Sequence, residues 1–205
     1  KSDILELRFD YDTGRSFGQT RTFKFEDFSA MKVFISKVFT YNLPIIATCR
    51  HSDEAGLLHS SAVKGFCGSE VQRTPIMQNA VNEGVDYVDV ELNHWLDIKR
   101  RSGTKSIVSY HNFDEVPEES SLIRIASEAV DRGADIVKIV GMAKHYSDVV
   151  RMKKFVIESS FVLKKPIIGL CMGEIGKDSR VFAEFTNEPF TYASIDDKSG
   201  TAPGQ

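Results

Sequence analysis

Cysteine is scarce in this 205-residue chain, and Cys49, Cys67 and Cys171 are odd in number and far apart. They form neither a disulfide framework nor a zinc pattern, so a reducing, cytoplasm-like compartment is the simplest reading. No glycine fingerprint of the GxGxxG or P-loop type follows an apolar run, which argues against a nucleotide cradle. No apolar run approaches the length that spans a bilayer, and no signal-peptide pattern opens the chain, so no membrane partner is expected. The net charge of −3 gives no global preference for nucleic acid. An anionic ligand would have to be held by local arginines. His51, His59, His94 and His145 lack metal spacing of the HExxH kind, so no metal is expected. Trp95 has no aromatic partners placed for stacking on bases, and Lys99-Arg100-Arg101 reads as a solvated turn.

What remains is the composition of an ordinary globular protein, 41% hydrophobic and 27% charged, enough for one domain with a full core. No repeat, low-complexity tract or linker divides it, so residues 1–205 are read as one domain. Short runs rich in β-branched residues predict strands over 4–9, 44–49, 85–92, 105–110, 135–140, 166–171 and 190–195. Apolar residues at helical spacing predict helices over 118–132 and 147–163, the first ended by Gly133 and the second capped by Ser147. Residues 25–41 read as a helix with a less clean apolar face.

Strands alternating with helices imply a parallel sheet covered on both sides. Runs such as IVKIV and PIIGL fit burial on both faces. A closed (β/α)8 barrel needs eight strands where seven are predicted, and the chain starts on a strand and stops without a closing helix. The expectation is therefore a (β/α)8 TIM barrel lacking its first strand and last helix. A doubly wound open sheet is the alternative.

Some residues are out of place in this pattern. Lys138 sits in the centre of Ile136-Val137-Lys138-Ile139-Val140, on one face with Ile136 and Val140. Burying an ammonium is costly, and a lysine that spends part of its time neutral is a nucleophile suited to forming an imine. The other reading is a lysine that snorkels from a strand end or pairs with a core carboxylate. His111 ends a predicted strand, at the carboxyl edge where barrels place catalytic groups, though backbone alone could satisfy it. Glu6 and Arg8 share a face of the first strand, Arg50 closes the second, and Glu54 follows four residues later. With Lys138 the arginines read as an anion-binding mouth, or singly as surface charge. Cys49 and Cys171 end apolar strands and read as small packed hydrophobes.

Seven segments then match one family in order. They are LELRFD at 5–10, TCRHSDEAG at 48–56, VDVEL at 88–92, SYHNF at 109–113, DIVKI at 135–139, GLCMGEIGKDSR at 169–180 and APGQ at 202–205. The chain resembles the type I 3-dehydroquinate dehydratases, Schiff-base enzymes of the shikimate pathway of aromatic amino-acid biosynthesis. The resemblance implies that Lys138 forms the imine, that His111 is the general acid and base, and that Glu54 orients it. It implies that Glu6, Arg8, Arg50, Arg180, Thr201 and Gln205 hold the substrate, 3-dehydroquinate, with no cofactor. Thr201 stands where the family has serine, Ala55 interrupts the usual glycine pair, and Asn112 replaces a common aspartate. None of these removes a group the chemistry needs. The resemblance also leaves room for a homodimer and for fusion to shikimate dehydrogenase in a longer polypeptide. Two rivals remain: a class I aldolase-type barrel, which also uses a strand lysine, and a catalytically dead metabolite-binding relative. SYHNF, APGQ and the arginine set disfavour the first; retention of both Lys138 and His111 disfavours the second.

Overall fold

A computed structural model describes residues 3–10, 28–55 and 65–194. Six strands occur among them: β1 (Leu5–Arg8), β2 (Ile45–Thr48), β3 (Tyr87–Glu91), β4 (Lys105–Asn112), β5 (Ile136–Met142) and β6 (Ile167–Met172). They lie in chain order, each parallel to the next, as a curled half-barrel. The helices are α1 (Phe28–Phe39), α2 (Glu70–Glu83), α3 (Glu119–Asp131), α4 (Tyr146–Leu163) and the single turn α5 (Asp178–Val181).

Strand alternation sorts side chains onto two faces. On β5, Val137 and Ile139 face outward into a cluster with Leu122, Ala126, Met152 and Phe155 of α3 and α4. Val88 and Val90 of β3 do the same with α1 and α2, against Ile35, Met77 and Ala80. The inward face opens on an apolar floor that includes Ile46, Ile107, Ile136 and Ile168. Toward the carboxyl ends it changes to Thr48, Arg50, Asp89, Glu91, Ser109 and Lys138, all buried. Gly169 lets α4 approach β6, because a Cβ there would lie 2.3 Å from Val156 Cγ2.

Helix α2 was not anticipated. Pro75 lies in its second turn, and the face it buries includes Arg73 beside Ile76, Met77, Ala80 and Val81, so its periodicity is diluted. Its boundaries were nevertheless written in the sequence. Gln72 accepts from the Ser69 amide at 3.0 Å, and Gly84 ends the helix at φ 97°. Helix α4 begins at Tyr146, so Ser147 is not its cap. Asp148 reaches back instead, accepting from the Lys144 and His145 amides at 2.8 and 2.9 Å. Gly133, at φ 86°, follows α3 as expected.

The seventh predicted strand is corrected. Residues 190–194 form no strand, and residue 195 lies outside the described residues. The free edge of β6 is already satisfied by side chains. The Gly169 amide donates to Glu188 at 2.9 Å and its carbonyl accepts from Lys153 Nζ at 2.8 Å. The Cys171 amide donates to Ser179 Oγ at 2.8 Å and its carbonyl accepts from Arg180 at 2.7 Å. Side chains thus occupy the groups a further strand would pair with. Phe190 and Tyr192 still pack inward against the floor, which explains why the segment reads like a strand.

Candidate active site

The carboxyl ends of the strands open into a cleft. Glu6, Arg8, Arg50, Glu54, His111, Lys138 and Arg180 all line it, together with Tyr192 and Phe113. Seven of the nine anticipated site residues therefore meet in one place. Thr201 and Gln205 lie outside the described residues.

Strand β5 presents Lys138 inward, and β4 presents Ser109 and His111 on the same side, with Ser109 in register with Lys138. Strand β4 runs on to Asn112, so His111 lies inside the strand rather than at its end. Lys138 Nζ is 3.0 Å from Asp89 Oδ2 and sits 4.1 Å from the centroid of the Tyr192 ring. The lysine therefore is paired with a core carboxylate and is also held in the cleft. Asp89 accepts in addition from Ser109 Oγ at 2.5 Å and from Arg50 at 3.1 Å. Burial opposes its ionisation, but Arg50 and Lys138 outweigh that and hold it well below the usual carboxylate range.

Arg50 is almost entirely buried. It reaches Asp89 and Glu91 at 3.1 Å each and Ser109 Oγ at 2.8 Å. Glu91 continues the chain of charges to Arg73, 2.7 Å away, which also donates to the Cys49 and His94 carbonyls. Arg8 grips Asp10 through Nε and Nη2 at 2.8 and 2.6 Å, and Asp10 accepts from the Arg50 amide at 3.1 Å. Glu6 accepts from Thr48 Oγ1 at 2.8 Å. Arg8 and Arg50 therefore enter the cleft with carboxylates already beside them. Their positive field is partly balanced before any ligand arrives.

The short helical turn Ser52–Glu54 swings Glu54 inward beneath His111. Glu54 Oε2 lies 3.0 Å from His111 Nδ1 and accepts from the His111 amide at 3.1 Å, which leaves Nε2 for the cleft. Burial, helped by Glu91, pushes the Glu54 carboxyl up to about 8 against the pull of Arg50. Burial, helped by Arg50 and Lys138, holds the His111 imidazolium well below its ordinary 6.5. Joined by this contact, the two side chains can pass one proton between them: with it the pair has a proton to give away, and without it a free imidazole nitrogen.

Three buried side-chain atoms lack a protein partner among the described residues: Glu54 Oε1, Arg180 Nε and Tyr192 Oη. All three belong to residues that line this cleft. Unpaired buried polar groups are costly, and their convergence here suits a ligand rich in hydroxyl and carboxylate oxygens. Burial, with Glu6 and Asp89 nearby, raises Tyr192 well above an ordinary phenol, so it stays neutral.

Sequence reasoning passed over Asp89, Glu91, Arg73 and Tyr192. Asp89 and Glu91 carried a usable signal, since they alternate with Val88 and Val90 in a dry strand just as Lys138 alternates with valine and isoleucine. Arg73 had no such signal, because its burial follows from α2, which was not anticipated.

A parallel α/β half-barrel whose cleft is lined by a lysine and a carboxylate-paired histidine from neighbouring strands defines a class of proteins with the groups that covalent chemistry on carbonyl compounds requires. The family described as type I 3-dehydroquinase matches residues 1–205, and the chain belongs to it. A 3-dehydroquinate dehydratase of Methanothermobacter thermautotrophicus is 38% identical over 165 residues, 79% of this chain and 67% of the relative. The chloroplastic bifunctional 3-dehydroquinate dehydratase/shikimate dehydrogenase of Arabidopsis thaliana is 30% identical over 210 residues, 100% of this chain and 31% of that protein. The crystal structure of the 3-dehydroquinate dehydratase from Aquifex aeolicus superposes with a TM-score of 0.72 at 28% identity, covering 100% of this chain and 82% of that one.

Proposed function

We propose that the family's reaction, dehydration of 3-dehydroquinate to 3-dehydroshikimate and water, runs in this cleft through a Schiff base on Lys138. The observation that carries the reading is the meeting of Lys138 with the Glu54–His111 pair, on neighbouring strands and in one cleft. The Lys138 amine adds to the substrate ketone and water leaves, giving a protonated imine. That cation is an electron sink, so loss of the adjacent proton yields a neutral enamine instead of a free carbanion. His111, in the base form of its pair with Glu54, takes this proton through Nε2. In the acid form it returns a proton to the β-hydroxyl, which departs as water. Hydrolysis then frees Lys138 and the ketone product.

The remaining groups position the substrate. Arg180, with Nε unpaired, and Arg8 receive the carboxylate, while Glu6, Thr201 and Gln205 meet hydroxyls. Arg50, held by Asp89 and Glu91, acts mainly through the field it places on the lysine and histidine. Tyr192 covers Lys138 on one side, its ring centroid 4.1 Å from Nζ. The protonated imine on Lys138 is the electron sink, so this reading calls for no cofactor. The homodimer and a fused shikimate dehydrogenase, as in the Arabidopsis relative, are arrangements this reading accommodates and does not require.

Reduction with borohydride in the presence of 3-dehydroquinate tests the assignment. Mass mapping should place the adduct on Lys138. An adduct on Lys144 or Lys165 with Lys138 unmodified would overturn it.

A further inference from the structure

Beside the cleft, on its outer rim, His51, Asp53 and His94 form a second cluster for which the proposed reaction has no use. One ligand atom from each lies within 4.8 Å of the others. Asp53 Oδ2 is 3.6 Å from His51 Nδ1 and 3.5 Å from His94 Nε2. We propose that these three residues form a binding site for a first-row divalent transition metal, with Zn²⁺ the natural occupant and water its fourth ligand.

The two distances from Asp53 are close to what zinc requires. Bonds of about 2.0–2.2 Å to nitrogen and oxygen in a tetrahedron separate the ligand atoms by roughly 3.4 Å. The distances from Asp53 Oδ2 differ from that by a few tenths of an ångström. Two imidazoles and one carboxylate favour zinc, cobalt, nickel or copper over magnesium and calcium, which prefer oxygen. Asp53 is exposed while the two histidines are mostly covered, so the site is walled on one side and open to water on the other.

The surroundings support the histidines as ligands. His94 Nδ1 lies 3.4 Å from Glu70 Oε1, and Glu70 is fixed by Arg73 at 2.8 Å. A carboxylate on the second nitrogen is the usual way a ligating imidazole is oriented. The two rings stack 3.7 Å apart at 11°, and His51 Nδ1 accepts from the Asp53 amide at 3.2 Å. In-plane lone pairs on parallel rings do not converge on one point. Metal binding must therefore rotate at least one ring out of the stack, which gives the event a signature of its own.

Spacing could not reveal the cluster. His51 and Asp53 follow β2, whereas His94 follows β3, and only parallel pairing of those strands brings them together. Its position also links it to the cleft. The turn that carries Asp53 carries Glu54, and the His51 amide donates to Glu91 at 2.8 Å. A bound ion would tie this turn to the end of β3 and restrain the carboxylate that holds His111.

The test is titration of the chelator-treated protein with zinc chloride, read by calorimetry and by ¹⁵N chemical shifts of the histidine rings. One zinc ion per chain should bind, with the His51 and His94 ring signals moving together. Asp53→Asn, at an exposed position that cannot threaten the fold, and His94→Gln should each weaken binding at least tenfold. Glu70→Gln should weaken it by roughly 10–100-fold, the range for lost outer-shell partners. Cys67→Ser, which removes the exposed thiol, should leave it unchanged. Equal affinity in Asp53→Asn and His94→Gln, or no zinc-dependent movement of the His51 and His94 signals, overturns the proposal. These readouts are independent of turnover, so failure of the zinc site leaves the Schiff-base reading standing, and the reverse.

Discussion

The two faces of the same strands are built on opposite principles. Outward, Val88, Val90, Val137 and Ile139 meet apolar helices, and the gain is the removal of hydrocarbon from water at about 25 cal/mol per Å². Inward, one residue along, Asp89, Glu91 and Lys138 are buried just as deeply but with charge. Desolvating such groups costs several kcal/mol per ion, and pairing returns that only where the geometry is good. The inner network has good geometry, since Asp89 is shared by Arg50, Ser109 and Lys138 at hydrogen-bonding distances. An apolar filling of similar volume would serve stability at least as well. The comparison teaches that the inner face is shaped by a ligand and the outer face by the fold.

If so, inner substitutions should remove activity out of proportion to stability. The largest effect is expected for Lys138→Met, which keeps the volume and removes the amine. Turnover of 3-dehydroquinate and borohydride trapping should both fall to background. Asp89 keeps Arg50 and Ser109 as partners, so cooperative urea unfolding should persist. His111→Ala should lower turnover by about 10²–10⁴-fold, the range for lost general acid–base catalysis. Its imine should still form and be trapped on Lys138, because addition needs mainly the amine and a held carbonyl. Glu54→Gln should be a milder version. Near-normal turnover in His111→Ala would remove the proton shuttle from the proposal.

The outer face should give the reverse result. Ile139 is fully buried between the sheet and its helices. Ile139→Ala should cost about 2–5 kcal/mol of unfolding free energy, the range for deleting a buried aliphatic side chain. Turnover per folded molecule should change little, although Ile139 is the immediate neighbour of Lys138. Loss of turnover matching that of Lys138→Met, without loss of stability, would mean the two faces are not separable.

The same division explains what could be read from sequence. Strands β2, β4, β5 and β6 were legible from adjacent aliphatic residues, and β1 and β3 from apolar residues alternating with charged ones. Lys138 was legible because a cation in such a run has no ordinary reason to be there. Asp89 and Glu91 offered the same signal and were passed over. Arg73, by contrast, was hidden by a helix whose Pro75 and polar face blur its period. Residues 190–195 misled because Phe190 and Tyr192 face inward as strand residues would, while Glu188, Lys153, Ser179 and Arg180 had already taken the edge of β6. Which groups satisfy an edge is a tertiary fact, and no local pattern reports it.

The smallest expected effect concerns a carboxylate outside the cleft, where charge serves the fold instead of a ligand. Asp148 caps α4 by accepting from the Lys144 and His145 amides, and it pairs with Arg151 at 2.9 Å. Burial opposes its ionisation, but the two amide bonds and Arg151 prevail and lower it from its ordinary 3.8. A carboxyl lowered on folding contributes stability that is fully present above its unfolded value. That contribution is lost as pH falls through the folded value. Asp148→Asn should therefore cost about 1 kcal/mol near neutral pH, within the ~0.5–2 kcal/mol typical of a lost cap. The two proteins should converge in stability as pH drops below the ordinary aspartate range. Urea melts of both at several pH values measure the difference. A gap that stays constant down to strongly acidic pH would show that the carboxylate's charge contributes nothing, and that Asp148 acts only through its shape.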